Sequence, residues 1–254
     1  MPPRPKFAAG NDEGACVNGL ITIVAILLLL LVVGCVIGLV DRRRFAPRWL
    51  AVAALLVLIN DALLTRFYRL LPNPLPDLER NWVGMGLALV AVLAIAALPA
   101  FGWRRVGLTL AQAPGSLRAA IPVALLYCGF FAALAFLFPA DPASAEETAF
   151  QLTLPGLQEE IFYRGVLLFA LDRAFTGRLR FLGVDWGWGA VLSCLLFGLA
   201  HAFDYSDGAF SFEPLVMALT ALPSFIAVWL RLRTGSLLLP ILLHNFGNAA
   251  SLII

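Results

Sequence analysis

Ionisable and amide residues stand at helical spacings in a chain that is otherwise apolar. Glu159, Glu160 and Arg164 lie in "QEEIFYRG", His201 closes "FGLAH", and His244 and Asn248 bracket "HNFGN". Glu160 and Arg164 are four residues apart with the acid on the N-terminal side, the order in which a helix lets such a pair neutralise itself. Glu159 lies ~100° further round the same helix and is left without a local cation. A carboxylate held in an apolar site without a counter-ion suits taking and giving a proton near neutral pH. His244 and Asn248, also four apart, share one side of their helix.

One free carboxylate, two imidazoles and a carboxamide in a nearly dry site fit hydrolysis of a peptide bond. The carboxylate deprotonates water, an imidazole positions it, and hydrogen-bond donors stabilise the oxyanion. Either histidine alone reads as a structural residue; beside an intramembrane carboxylate pair the functional reading is the stronger one. Glu159, His201 and His244 would also serve as ligands if a catalytic zinc were required. The chain lacks HExxH, and a third zinc ligand would consume the carboxylate best placed as base, so no metal or other cofactor is expected, with zinc as the alternative. Ser193 and Cys194 sit about two turns before His201 on the same predicted helix without a GxSxG elbow, which disfavours a nucleophilic mechanism.

These residues must be positioned by membrane helices. Of the 254 residues 61% are hydrophobic and 13% charged, with mean hydropathy +0.89, far from the composition of soluble domains. A net charge of +2 gives no reason to expect a nucleic-acid partner. Apolar segments of bilayer length fall near 18–40, 49–66, 82–102, 119–138, 149–171, 187–203, 214–231 and 235–254. The fold class is therefore all-α, a polytopic membrane bundle of about eight transmembrane helices. Gly19–Val40, followed by "DRRR", reads as a retained helix rather than a signal peptide. An ionisable side chain at the bilayer centre costs about 2.5–3.5 kcal/mol on insertion scales, so the polar cluster marks a site.

Loop charge then gives an orientation. Arg42, Arg43, Arg44, Arg48, Arg104, Arg105, Arg118, Arg173, Arg178, Arg180, Arg231 and Arg233 fall on one side, and Arg4, Lys6, Arg66, Arg69 and Arg80 on the other. The positive-inside rule puts the first set in the cytoplasm and both termini outside. Short loops and the lack of lysine beyond Lys6 suggest a bacterial inner membrane. The segment Gly102–Arg118 reads as lying on the membrane surface. Trp49, Trp82, Trp103, Trp186 and Trp188 fit an interfacial belt, Pro155–Gly156 reads as a point where the fifth helix loosens, and the cysteines read as small buried hydrophobes.

The spacings "EEIFYR", "FGLAH" and "HNFGN" resemble the EExxxR, FxxxH and HxxxN motifs of the CPBP family of intramembrane proteases, which includes CAAX prenyl endopeptidases and bacterial ABI-type proteins. The resemblance divides the chain into 1–148, four spans with no matched motif, and 149–254, a CPBP-type protease core. It implies that Glu159 activates the water, His201 helps to bind it, and His244 and Asn248 form the oxyanion site. Glu160 and Arg164 match supporting positions, and Phe197 would pack and orient the face of His201. The implied partners are a membrane-embedded or lipid-anchored peptide substrate and membrane lipid. The rival readings are a proton-coupled transporter, in which intramembrane Glu, Arg and His form a relay, and a non-catalytic scaffold or immunity protein on the same fold.

Overall fold

The computed structural model describes residues 12–65, 74, 75 and 77–254; Arg4, Lys6, Arg66 and Arg69 of the charge comparison lie outside them. The chain begins with α1 (Asp12–Val40), a short 3₁₀ turn over Arg42–Arg44, and α2 (Pro47–Thr65). α3 (Trp82–Ala97) starts under Asn81, whose Oδ1 accepts the Gly84 N–H at 3.0 Å while its Nδ2 donates to the Leu64 carbonyl at 2.8 Å. One side chain thus caps α3 and ties it to the end of α2. α4 (Leu117–Leu137) follows after a run of turns.

The expected fifth span, 149–171, is not one helix. α5 (Ala145–Gln151) begins under Ser144, whose Oγ accepts the Glu147 N–H at 3.0 Å. The chain breaks at Leu152 and Thr153, and α6 (Leu154–Glu160) restarts with Pro155 in its first turn, where a missing N–H leaves no helical bond unmade. The fifth segment is thus interrupted just ahead of Pro155, where a loosening was expected. π-helical turns then run from Ile161 to Leu167, and α7 (Leu168–Ala174) completes the segment.

The C-terminal part continues with the hairpin β1 (Leu179–Phe181) and β2 (Val184–Trp186), then α8 (Trp188–Ala202). A second antiparallel hairpin, β3 (Phe203–Ser206) and β4 (Ala209–Phe212), leads to α9 (Pro214–Thr234) and α10 (Leu238–Ile253). Gly235, at φ +76°, ends α9 in the left-handed conformation that only glycine adopts without strain. The two hairpins are the departure from an all-α reading; the fold is otherwise helical.

Val17–Val40, Pro47–Thr65, Leu117–Leu137 and Pro214–Thr234 are long and apolar enough to cross a bilayer, while Trp82–Ala97, Trp188–Ala202 and Leu238–Ile253 are apolar but shorter. One core joins the two halves of the chain. Ile23 and Leu30 of α1, Leu50 and Ala53 of α2 and Val92 of α3 pack in a single cluster with Ile161, Val166, Leu171 and Phe197.

The loops carrying the twelve arginines meet at one end of the bundle. Thr176 N–H donates to the Arg44 carbonyl at 2.9 Å, Arg231 Nη2 to the Arg105 carbonyl at 2.9 Å, Arg233 Nη1 to the Gly183 carbonyl at 3.2 Å, and Ala113 N–H to the Thr234 carbonyl at 2.7 Å. The segment Gly102–Arg118 is anchored at this end: Val106 is fully buried, and Leu237 N–H donates to the Gly107 carbonyl, while Trp103, Arg104 and Leu110 are exposed. Trp186, at the end of the hairpin Leu179–Trp186, and Trp188, at the start of α8, lie here too. At the other end β3 meets α1, where Thr22 Oγ1 accepts the Tyr205 N–H at 2.9 Å, and Arg80 pairs with Glu147. Cys194 is buried as expected, Cys128 partly so, and Cys35 exposed on the apolar surface of α1.

Candidate active site

Glu159 and Glu160 end α6, Arg164 lies in the π-helical turns, Phe197 and His201 occupy the last turns of α8, and His244 and Asn248 lie on α10. All seven line one cavity of about 550 Å³.

The carboxylate of Glu160 is the centre of the polar contacts. Its Oε1 lies 3.0 Å from Arg164 Nη1 and 2.7 Å from His244 Nδ1. A carboxylate only accepts, so Nδ1 of His244 carries a hydrogen and Nε2 is fixed toward the cavity. That Nε2 stands 3.6 Å from Glu159 Oε2. Spacing along one helix left Glu159 without a partner; the tertiary structure supplies an imidazole from another helix. His244 therefore bridges two carboxylates, held by one and facing the other. Burial is graded across this group: Glu160 and Arg164 side chains are 1% and 2% exposed, Glu159 and His244 14% and 11%. Among the described residues, buried Glu159 Oε2, Glu160 Oε2 and Arg164 Nε have no hydrogen-bond partner within the protein.

Phe197 explains why its helix carries a ring one turn before the histidine. Arg164 Cζ sits 4.2 Å from the centroid of the Phe197 ring, within cation–π range. The same ring lies 4.6 Å from the His201 ring and 5.8 Å, edge to face, from His244. His201 Nδ1 donates to the Phe197 carbonyl at 2.8 Å. The carbonyl fixes the tautomer, leaving Nε2 as an acceptor.

Residues outside the motifs hold the helices in register. Asn245 Oδ1 accepts the Gly156 N–H at 2.8 Å, and its Nδ2 donates to the Thr153 carbonyl at 3.2 Å, satisfying groups freed by the break before α6. A Cβ at Gly156 would stand 2.2 Å from Asn245 Oδ1 and 2.8 Å from the Ile241 carbonyl, so glycine lets α10 approach α6. Ser193 on α8 donates to the Tyr163 carbonyl at 2.7 Å, within the turns where the α-helical ladder is interrupted. Its hydroxyl is thus occupied structurally. Gln158 donates to Asn60 of α2 at 2.6 Å, both buried. Tyr127 and Phe131 of α4 line the cavity, so the half without motifs contributes a wall. Asn60, Gln158 and Tyr127 were visible as polar atoms in apolar segments, but no spacing connects them to the motifs.

The same geometry bears on a metal. Among the described residues no three His, Cys, Asp or Glu side chains group as metal ligands. Glu159, His201 and His244 are not grouped as a zinc-ligand set in this arrangement.

Residues 143–250 match the family model described as type II CAAX prenyl endopeptidase Rce1-like. Over these 108 of the 254 residues the chain is similar to that family. The match agrees with the CPBP resemblance carried by the three motifs, and it covers every motif residue. The matched family is one of endopeptidases, and the apolar helices of this chain are those of an integral membrane protein. No curated protein and no solved structure matches the chain. α1 to α4 lie outside the Rce1-like segment, although Tyr127 and Phe131 reach its cavity.

Proposed function

We propose that the chain is an intramembrane endopeptidase that hydrolyses a peptide bond in a membrane-embedded or lipid-anchored substrate, with Glu159 as the base. The observation that carries this reading is the meeting of Glu159 and His244 at 3.6 Å in a cavity also lined by His201 and Asn248. Glu159 takes a proton from water while the water oxygen attacks the scissile carbonyl. The acceptor Nε2 of His201 holds that water by its second hydrogen. Asn248 donates its amide hydrogen to the oxyanion, and His244 joins it through Nε2–H as the imidazolium, its Nδ1–H held by Glu160 much as the acid of a serine-protease triad holds its histidine. Collapse of the tetrahedral intermediate breaks the C–N bond, and the proton on Glu159 passes to the leaving amine. The mechanism asks for no cofactor.

In this reading all eight apolar segments cross the membrane, the broken α5 to α7 segment included. The three short helices are accommodated by local thinning of the bilayer. Residues 1–148 form a supporting half and 149–254 the catalytic half. The arginine-rich end faces the cytoplasm, both termini lie outside, and the membrane is the inner membrane of a bacterium.

The test compares membrane-protein termini in cells expressing wild type and Glu159→Gln at equal levels. New termini present only with wild type are expected. Their absence, with folded enzyme and the precursor pool sampled, would sink the proposal, and proton flux in liposomes would then favour the transporter reading.

A further inference from the structure

We infer that the cavity receives its substrate from the non-cytoplasmic side of the membrane, so that the substrate class is a protein segment exposed at or anchored to the outer leaflet. The word substrate rests on the proteolytic reading above; the sidedness rests on the fold together with the arginine asymmetry of the loops.

The cavity opens at one end of the bundle and runs into its interior, reaching Ala227 and Pro240. α8 runs away from the arginine-rich end, from Trp188 to His201, and a helix of that length advances ~20 Å. Burial falls in the same direction: Phe197 is buried and His201, at the end of α8, is exposed. On its cavity face α10 repeats the pattern, with His244 11% exposed and Asn248, one turn further out, exposed. The closed end of the cavity is the buried Glu160–Arg164 pair, and the open end is His201 and Asn248.

The other walls agree. Phe150 and Gln151 come from α5, the half of the fifth segment remote from the arginines, and Val216 and Leu219 from the first turns of α9, whose last turn holds Arg231 and Arg233. β3 follows His201 directly, and Glu213 N–H donates to the Ala202 carbonyl at 2.9 Å, so the second hairpin stands beside the mouth. That hairpin, Phe203–Phe212, contains no Lys or Arg. The twelve arginines at the opposite end fix which side is cytoplasmic, because cationic loops are retained there. A substrate held on the cytoplasmic leaflet, whatever lipid it carries, lies across the bundle from the mouth and behind a closed ion pair.

The experiment is cysteine accessibility in intact cells with a membrane-impermeant maleimide, in a chain with Cys16, Cys35 and Cys128 replaced by alanine and the buried Cys194 kept. Ser206→Cys in the second hairpin and Leu219→Cys in the cavity wall are expected to label in intact cells. Leu110→Cys, in the arginine-end segment, is expected to label only after permeabilisation. Labelling of Leu110→Cys in intact cells, or failure of Leu219→Cys to label there in folded protein, overturns the inference. The termini released by unmodified wild type give a second reading that needs no variant. Termini on non-cytoplasmic segments support the inference, and cytoplasmic termini overturn it while leaving proteolysis intact. Absence of termini with the expected labelling defeats the proteolytic reading and leaves the sidedness standing.

Discussion

Glu159 and Glu160 are neighbours in sequence with opposite environments. Glu160 is almost fully buried between Arg164 and His244, whereas Glu159 meets only the edge of His244 and the cavity. Removing one member of a buried pair leaves the other charge uncompensated, at a cost of about 3–5 kcal/mol. Glu160→Ala and Arg164→Ala should therefore lower the thermal midpoint in detergent clearly, while Glu159→Gln should melt close to wild type and lose cleavage. Equal melting of all three would defeat this division. Phe197 joins the two sets, with a guanidinium on its face and two imidazoles around it. Phe197→Leu keeps much of the volume but loses these ring contacts. It should reduce cleavage more than it reduces stability, measured as initial rate against thermal midpoint.

At the scale of elements, α10 is placed by Asn245 and Gly156 as much as by its apolar face. A methyl group at Gly156 runs into the Asn245 side chain and the Ile241 carbonyl. Gly156→Ala should thus destabilise the protein and reduce activity. Asn245→Ala should destabilise it as well, by leaving the Gly156 N–H without a partner and the Thr153 carbonyl with the Leu157 N–H alone. Because the two residues touch, the double variant should lose less than the sum of the singles, a non-additivity that a double-mutant cycle in thermal unfolding reads directly. Additive losses would show that the contact does not set the spacing of α6 and α10. The π-helical turns and Ser193 play the same part between α8 and the segment carrying Arg164.

For the whole molecule, the match to a protease family ends where the fold does not. The core cluster runs from α1, α2 and α3 into the segment that carries the glutamates, Gln158 is hydrogen-bonded to Asn60, and Tyr127 and Phe131 wall the cavity. Residues 143–254 expressed without α1 to α4 should therefore fail to give a folded, active protein, judged by size-exclusion behaviour and cleavage. Co-expression with residues 1–142 should restore both. A fragment that folds and cleaves alone would make the first four helices an accessory.

The sequence by itself determined a membrane-embedded helical protein, seven of the residues that line the cavity and the arginine asymmetry of its loops. These are legible because hydropathy, i,i+4 spacing and loop charge are local properties of the chain. Partners that meet across helices are not: His244 was read with Asn248 on its own helix, while its closest contact is Glu160, 84 residues away. The break before α6, the π-helical turns and the two hairpins also escaped the reading, since an apolar run has the same composition whether its backbone is regular or interrupted. What the tertiary structure decided was which carboxylate is held and which is left facing the cavity. That choice depends on how closely α10 approaches α6, and a glycine and an asparagine, neither of them in the ionisable cluster, set the distance.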